Sequence, residues 1–131
     1  MLDHVGFKVA DFDASRDFYY AKALALLDYG LVMEVTPEMT GTDARHAGFG
    51  ANGKPSFWIG TGNSSSIGAH TAFLAASRAQ VDAFQAAAIA IGVRDNGAPG
   101  PRPHYHPDYY GAFVLDPDGH NIEAVCHRPE A

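Results

Sequence analysis

The chain has 131 residues, of which 47% are hydrophobic and 18% charged, the composition of one folded globular domain rather than a disordered segment. Nine basic against fifteen acidic residues leave a formal charge of -6, which excludes a phosphate-backbone binder because that function needs a basic face. No apolar run approaches the roughly 20 residues that span a bilayer.

In chain order, His4-Val5-Gly6-Phe7-Lys8-Val9-Ala10 reads as a strand with Val5, Phe7 and Val9 on one face and His4, Gly6 and Lys8 on the other. A helix is expected from Asp11 or Asp13 to Leu27, with Phe18, Ala21 and Ala25 as its apolar stripe. Ala47 to Gly50 and Ser56 to Ile59 form a hairpin turning through Ala51-Asn52-Gly53-Lys54, and Gly62 to Gly68 reads as a flexible linker. The pattern then repeats. His70-Thr71-Ala72-Phe73-Leu74-Ala75-Ala76 is a strand, and Ser77 with Gln80 opens a helix as a capping box. Val81, Phe84, Ala88 and Ile91 form that helix's stripe and Gly92 stops it. Three prolines in Pro101-Arg102-Pro103-His104-Tyr105-His106-Pro107 predict a stiff extended loop. The last hairpin pairs Tyr109 to Leu115 with His120 to Cys126 across Asp116-Pro117-Asp118-Gly119.

An offset of 66 residues maps His4 on His70, Phe7 on Phe73, Phe18 on Phe84 and Gly53 on Gly119. The expected architecture is α+β: two tandem βαβββ modules forming a cupped half-barrel sheet with helices on the outside. Residues 1–131 make one domain, with module one at about 1–61, the linker at about 62–68 and module two at about 69–131.

Strand parity sends His4, His70 and Glu123 off the helix-packed face. Two imidazoles and a carboxylate are the facial set that holds a divalent ion (Fe, Mn, Ni or Zn) and leaves positions open. Taken one at a time, the bland roles compete: a strand-end histidine is usually half-buried, and a strand glutamate is usually solvated. His104, His106 and Tyr110 are candidates for acid–base or orienting work, against a rigid surface loop whose rings pack on one another. His120, beside the turn, is expected in solvent, and Cys126 on the core face. Met1-Leu2-Asp3-His4 lacks the order of a signal peptide. With Cys126 as the only cysteine, a reducing compartment, the cytoplasm, is expected.

The histidine that opens each unit and the segment Asp116-Pro117-Asp118-Gly119-His120-Asn121-Ile122-Glu123 resemble the vicinal-oxygen-chelate superfamily of glyoxalases, bleomycin-resistance proteins and extradiol dioxygenases. The resemblance implies a metal held by His4, His70 and Glu123 and a small-molecule substrate chelated through two oxygens, in a dioxygenase or a glyoxalase-like lyase or isomerase. It also implies an alternative, a metal-free binding protein of the bleomycin-resistance type with aromatic walls at a dimer interface, so a homodimer is a further expectation. At the family's fourth ligand position this chain offers Phe57, or Trp58 after a one-residue shift. These two and Lys8 are the substrate-binding candidates. Neither nucleic acid nor membrane is an expected partner.

Overall fold

A computed structural model describes residues 2–62 and 69–129, with the backbone alone at Tyr19 and Tyr20. Of the expected linker, everything beyond Gly62 lies outside the described residues. Module one runs β1 (Val5–Val9), α1 (Phe12–Asp17), β2 (Gly30–Val35), α2 (Pro37–Thr40), β3 (His46–Ala51) and β4 (Lys54–Thr61). Module two runs β5 (His70–Leu74), α3 (Arg78–Ala90), β6 (Arg94–Pro101), β7 (Tyr110–Leu115) and β8 (Asn121–Cys126). The strands form two four-stranded sheets of the same order, β1-β4-β3-β2 in sheet one and β5-β8-β7-β6 in sheet two. In each, the first strand pairs parallel with the last and the rest are antiparallel.

Local chemistry accounts for the element ends. Asp11 caps α1 by accepting the Ala14 amide at 3.1 Å, and Ser77 caps α3 by accepting that of Gln80 at 3.2 Å. The Gln80 side chain reaches back to the Ala76 amide at 2.8 Å, one residue before the cap. Asn52 and Gly53, at φ 56° and 75°, make the two-residue turn between β3 and β4, the left-handed pair that matches strand twist.

The first helix departs from expectation. After α1 the chain widens into a π turn (Phe18–Ala23) and tightens into a 3-10 turn (Leu24–Leu27). The wider turn rotates the buried stripe, so Phe18, Ala23, Leu24 and Leu27 are buried while Ala21 and Ala25 face solvent. The prolines also act differently from the extended loop foreseen. Pro103 and Pro107 each sit second in a tight turn, closed by Tyr105 N–H to Arg102 C=O and by Tyr109 N–H to His106 C=O, both 3.0 Å.

Both modules share one core. Phe57 of β4 meets Phe73 of β5 edge-on at 5.2 Å, and Tyr29 meets Phe73 at 5.5 Å. Each fully buried phenylalanine contributes about 1.5–3 kcal/mol. His120 is not in solvent: it is 1% exposed, its ring 4.2 Å from Phe7 across the module boundary, and neither ring nitrogen has a hydrogen-bond partner among the described residues. The turn draws it inward, because Asp116 Oδ1 accepts the amides of Asp118 and His120 and Asp118 Oδ1 accepts that of Ala10. The opposite sheet faces carry the exposed rows His4, Gly6, Lys8 and His70, Ala72, Leu74. Among the described residues no helix is long and apolar enough to cross a membrane.

Candidate metal centre

In β8, Ile122, Ala124 and Cys126 pack in the core, so Asn121, Glu123 and Val125 face the other way. That face is nevertheless covered at Glu123, whose exposure is only 2%. A buried carboxylate needs compensation. Tyr109 donates its phenol proton to Glu123 Oε2, and His70 Nε2 lies 3.2 Å from Oε1. Among the described residues, His70 is the basic group within ion-pair distance of Glu123. Burial, then the hydrogen bond to Glu123, pushes the Tyr109 phenol above its ordinary range, which keeps it a neutral donor. Gly111 makes room for the contact: a Cβ there would stand 3.0 Å from Glu123 Oε2 and 3.1 Å from Tyr109 Cε1.

His70 is oriented from behind. Its Nδ1 lies 3.1 Å from the Asn121 carbonyl, an acceptor that calls for the proton on Nδ1 and leaves the Nε2 lone pair facing Glu123. Two acceptors facing each other at 3.2 Å call for a cation between them or a proton on Nε2. The separation suits an ion, since donors each about 2.1 Å from one metal at roughly tetrahedral angles stand about that far apart. The groove before the pair is lined by His70, Tyr105, Tyr109, Phe113, Asn121 and Glu123 and holds about 490 Å³.

His70 and Glu123 are thus brought together, and His4 is not brought to them. His4 is exposed, its Nδ1 2.8 Å from Asp3 Oδ2, and among the described residues no three His, Cys, Asp or Glu side chains lie close enough to hold one ion. His104 meets Tyr105 at a tilt, 4.2 Å away, and His106 meets His127 edge-on at 5.6 Å, so the loop puts the Tyr105 ring and not an imidazole into the groove. Tyr110 lies on the core side of β7, where its hydroxyl donates to Asp82 of α3 at 2.6 Å. The inward residue is its neighbour Tyr109, which parity across the last hairpin could have picked out, because Phe113 and Glu123 are cross-strand partners and Tyr109 shares the Phe113 face.

In module one, Phe57 is 1% exposed and belongs to the core. Trp58 faces outward on the rung that pairs with Gly6, as Glu123 pairs with Ala72. Register thus puts Trp58, and not Phe57, on the outward face. Lys8 stands exposed beside it in the same cleft.

Residues 1–124 match the Glyoxalase/Bleomycin resistance protein/Dioxygenase superfamily. A crystal structure of a glyoxalase/bleomycin resistance protein from Albidiferax ferrireducens T118 is 31% identical, with a TM-score of 0.75 over 96% of this chain and 97% of that one. A point mutant of the fosfomycin resistance protein FosX from Listeria monocytogenes, complexed with Mn(II) and 1S,2S-dihydroxypropylphosphonic acid, is 21% identical with a TM-score of 0.68 over 95% and 90% of the two chains. Glyoxalase I from Zea mays is 18% identical with a TM-score of 0.69, over 99% of this chain and 45% of that one. No curated protein matches the sequence.

Proposed function

Because the chain belongs to the Glyoxalase/Bleomycin resistance protein/Dioxygenase superfamily, we propose that it is a metal-dependent enzyme acting on a small organic molecule that presents two oxygens to the ion. The observation that carries this reading is the buried Glu123 carboxylate 3.2 Å from His70 Nε2, with no lysine or arginine within ion-pair distance among the described residues. The Mn(II) of FosX supports it by analogy of fold. A bound divalent ion would supply Lewis-acid stabilisation of negative charge developing on the substrate oxygens. The chain's own residues hold and shield it. Asn121 fixes the imidazole tautomer, Tyr109 occupies Oε2 so that Oε1 is presented, and Tyr105 with Phe113 narrows the groove against water.

His4 is the third ligand in this reading, supplied by a second copy of the chain. Its exposure on β1, apart from His70 and Glu123, supports that arrangement. Calorimetric titration with Mn(II), Fe(II), Ni(II) and Zn(II) tests the metal. Micromolar binding to the wild type and loss in Glu123→Gln are expected, and wild-type silence defeats the reading. Mixing His4→Ala chains with Glu123→Gln chains tests the sharing, because a mixed pair recovers one intact site whereas a site built within one chain recovers nothing.

A second reading, a metal-free binding protein, is favoured by Trp58 standing where a fourth ligand would stand. It takes over if no metal binds.

A further inference from the structure

The two modules orient their opening histidines by different means. His4 stands two residues before Gly6, and His70 two before Ala72, and those two residues occupy equivalent rungs opposite Trp58 and Glu123. In module two, His70 Nδ1 lies 3.1 Å from the carbonyl of its own rung partner, Asn121. In module one, His4 Nδ1 lies 2.8 Å from a side chain instead, the Asp3 carboxylate at Oδ2. Each imidazole therefore meets an oxygen acceptor at Nδ1. Such an acceptor calls for the proton on Nδ1 and turns the Nε2 lone pair outward as the donor to a cation.

An exposed carboxylate beside a histidine could itself take an ion. Lys54 opposes that outcome. Its ammonium lies 2.7 Å from Asp3 Oδ1 while His4 holds Oδ2, so each carboxylate oxygen already has one donor. The sheet explains the meeting. β1 runs parallel to β4 with Val5 opposite Phe57, and counting back two places along both strands brings Asp3 level with Pro55. Lys54 is the residue before it, the first of β4, delivered there by the Asn52–Gly53 turn.

We infer that Asp3 is a positioning residue for His4, fixing its ring with Nε2 outward as a metal ligand, and that Lys54 holds Asp3 in that role. The inference rests on the metal reading for its purpose and names what prepares the ligand that one chain offers to another. A carboxylate partner also raises the basicity of the imidazole, so His4 is the stronger donor of the two histidines. All three side chains are more than half exposed, and an ion pair so placed adds little to stability. A role confined to the fold would therefore leave both the His4 tautomer and the ion affinity unmoved.

Two measurements on the full chain test it. In the metal-free protein above about pH 8, where imidazoles are neutral, long-range proton–nitrogen correlation NMR reports the tautomer of each histidine. Wild-type His4 is expected to carry its proton on Nδ1. In Asp3→Ala the form protonated on Nε2 should gain, while His70 stays as it was. Calorimetric titration with Mn(II) and Zn(II) then gives the affinity. Asp3→Ala should weaken the ion about tenfold or more and Lys54→Ala by less, with unchanged melting in both. Asp3→Asn, which keeps an acceptor oxygen, should recover most of the loss. A His4 tautomer that Asp3→Ala leaves unaltered, or equal affinities in Asp3→Ala and wild type, overturns the inference while the metal reading stands. Wild-type silence toward every ion is a different result: it defeats the metal reading, and the inference falls with it.

Discussion

Trp58 and Glu123 stand on the same rung of the two sheets, Trp58 beside Gly6 and Glu123 beside Ala72. One module places an indole where the other places a buried carboxylate. If the two outward faces meet across a pair of chains, Trp58→Glu adds an oxygen donor opposite His70 and Glu123. Metal affinity measured by calorimetry should then rise about tenfold or more. An unchanged affinity would separate the Trp58 rung from the metal.

Gly111→Ala should weaken the metal without unfolding the chain. The new Cβ meets Glu123 Oε2 at 3.0 Å and the Tyr109 ring at 3.1 Å, so the carboxylate must turn or the phenol must leave. Melting should change little, by about 1 kcal/mol, while the metal dissociation constant rises. The pair of measurements distinguishes this outcome from general destabilisation.

His120→Phe should stabilise the protein. The native ring is 1% exposed with both nitrogens unpartnered, and removing an unsatisfied buried polar group recovers about 1 kcal/mol or more. Phenylalanine also extends the contact with Phe7. Thermal unfolding should shift upward by about 3 °C. A lower midpoint would mean that the larger ring overfills the site.

Tyr109 should contribute to the alkaline fall of stability in the metal-free protein. Its folded phenol titrates above the ordinary value of 10.0 because of burial and then the bond to Glu123. Above that value the unfolded chain releases a proton that the folded chain retains, so stability is full below it and falls as pH rises through the folded value. Tyr109→Phe should flatten this fall in denaturant titrations taken between neutral and strongly alkaline pH. An equally steep limb in the variant would place its source at another group.

The repeated architecture was legible because both units write the same core residues at the same offset, Phe7 with Phe73 and Phe18 with Phe84, and because Asp116 to Gly119 encodes its turn in local chemistry. The outward parity of Glu123 was legible for the same reason. What periodicity does not carry is register. Gly6 and Ala72 stand 66 residues apart, but their partners Trp58 and Glu123 stand 65 apart, so the repeat offset points to Phe57 whereas hydrogen bonding selects Trp58. Nor does parity reveal what covers a residue. Tyr109 buries Glu123 through a loop folded back by two proline turns, and Asp116 pulls His120 into the boundary between modules. Both are tertiary effects of side chains on a few backbone amides.

The parallel closure of each sheet bears on the order in which the molecule assembles. His70 and Asn121, 51 residues apart in sequence, must meet before β5 acquires its neighbour β8. Such long-range pairings form late, after the local helix and hairpin, because loop closure must precede the contacts that reward it. The strand that closes sheet two is also the one that brings Glu123 beneath Tyr109 and the Asn121 carbonyl to His70. A chain halted before that closing step would keep α3 and the beginnings of β6 and β7 but would hold neither the carboxylate nor the oriented imidazole in place. On the proposed metal reading, closure of sheet two builds one chain's share of the site, so recovery of ion binding during refolding should never precede it.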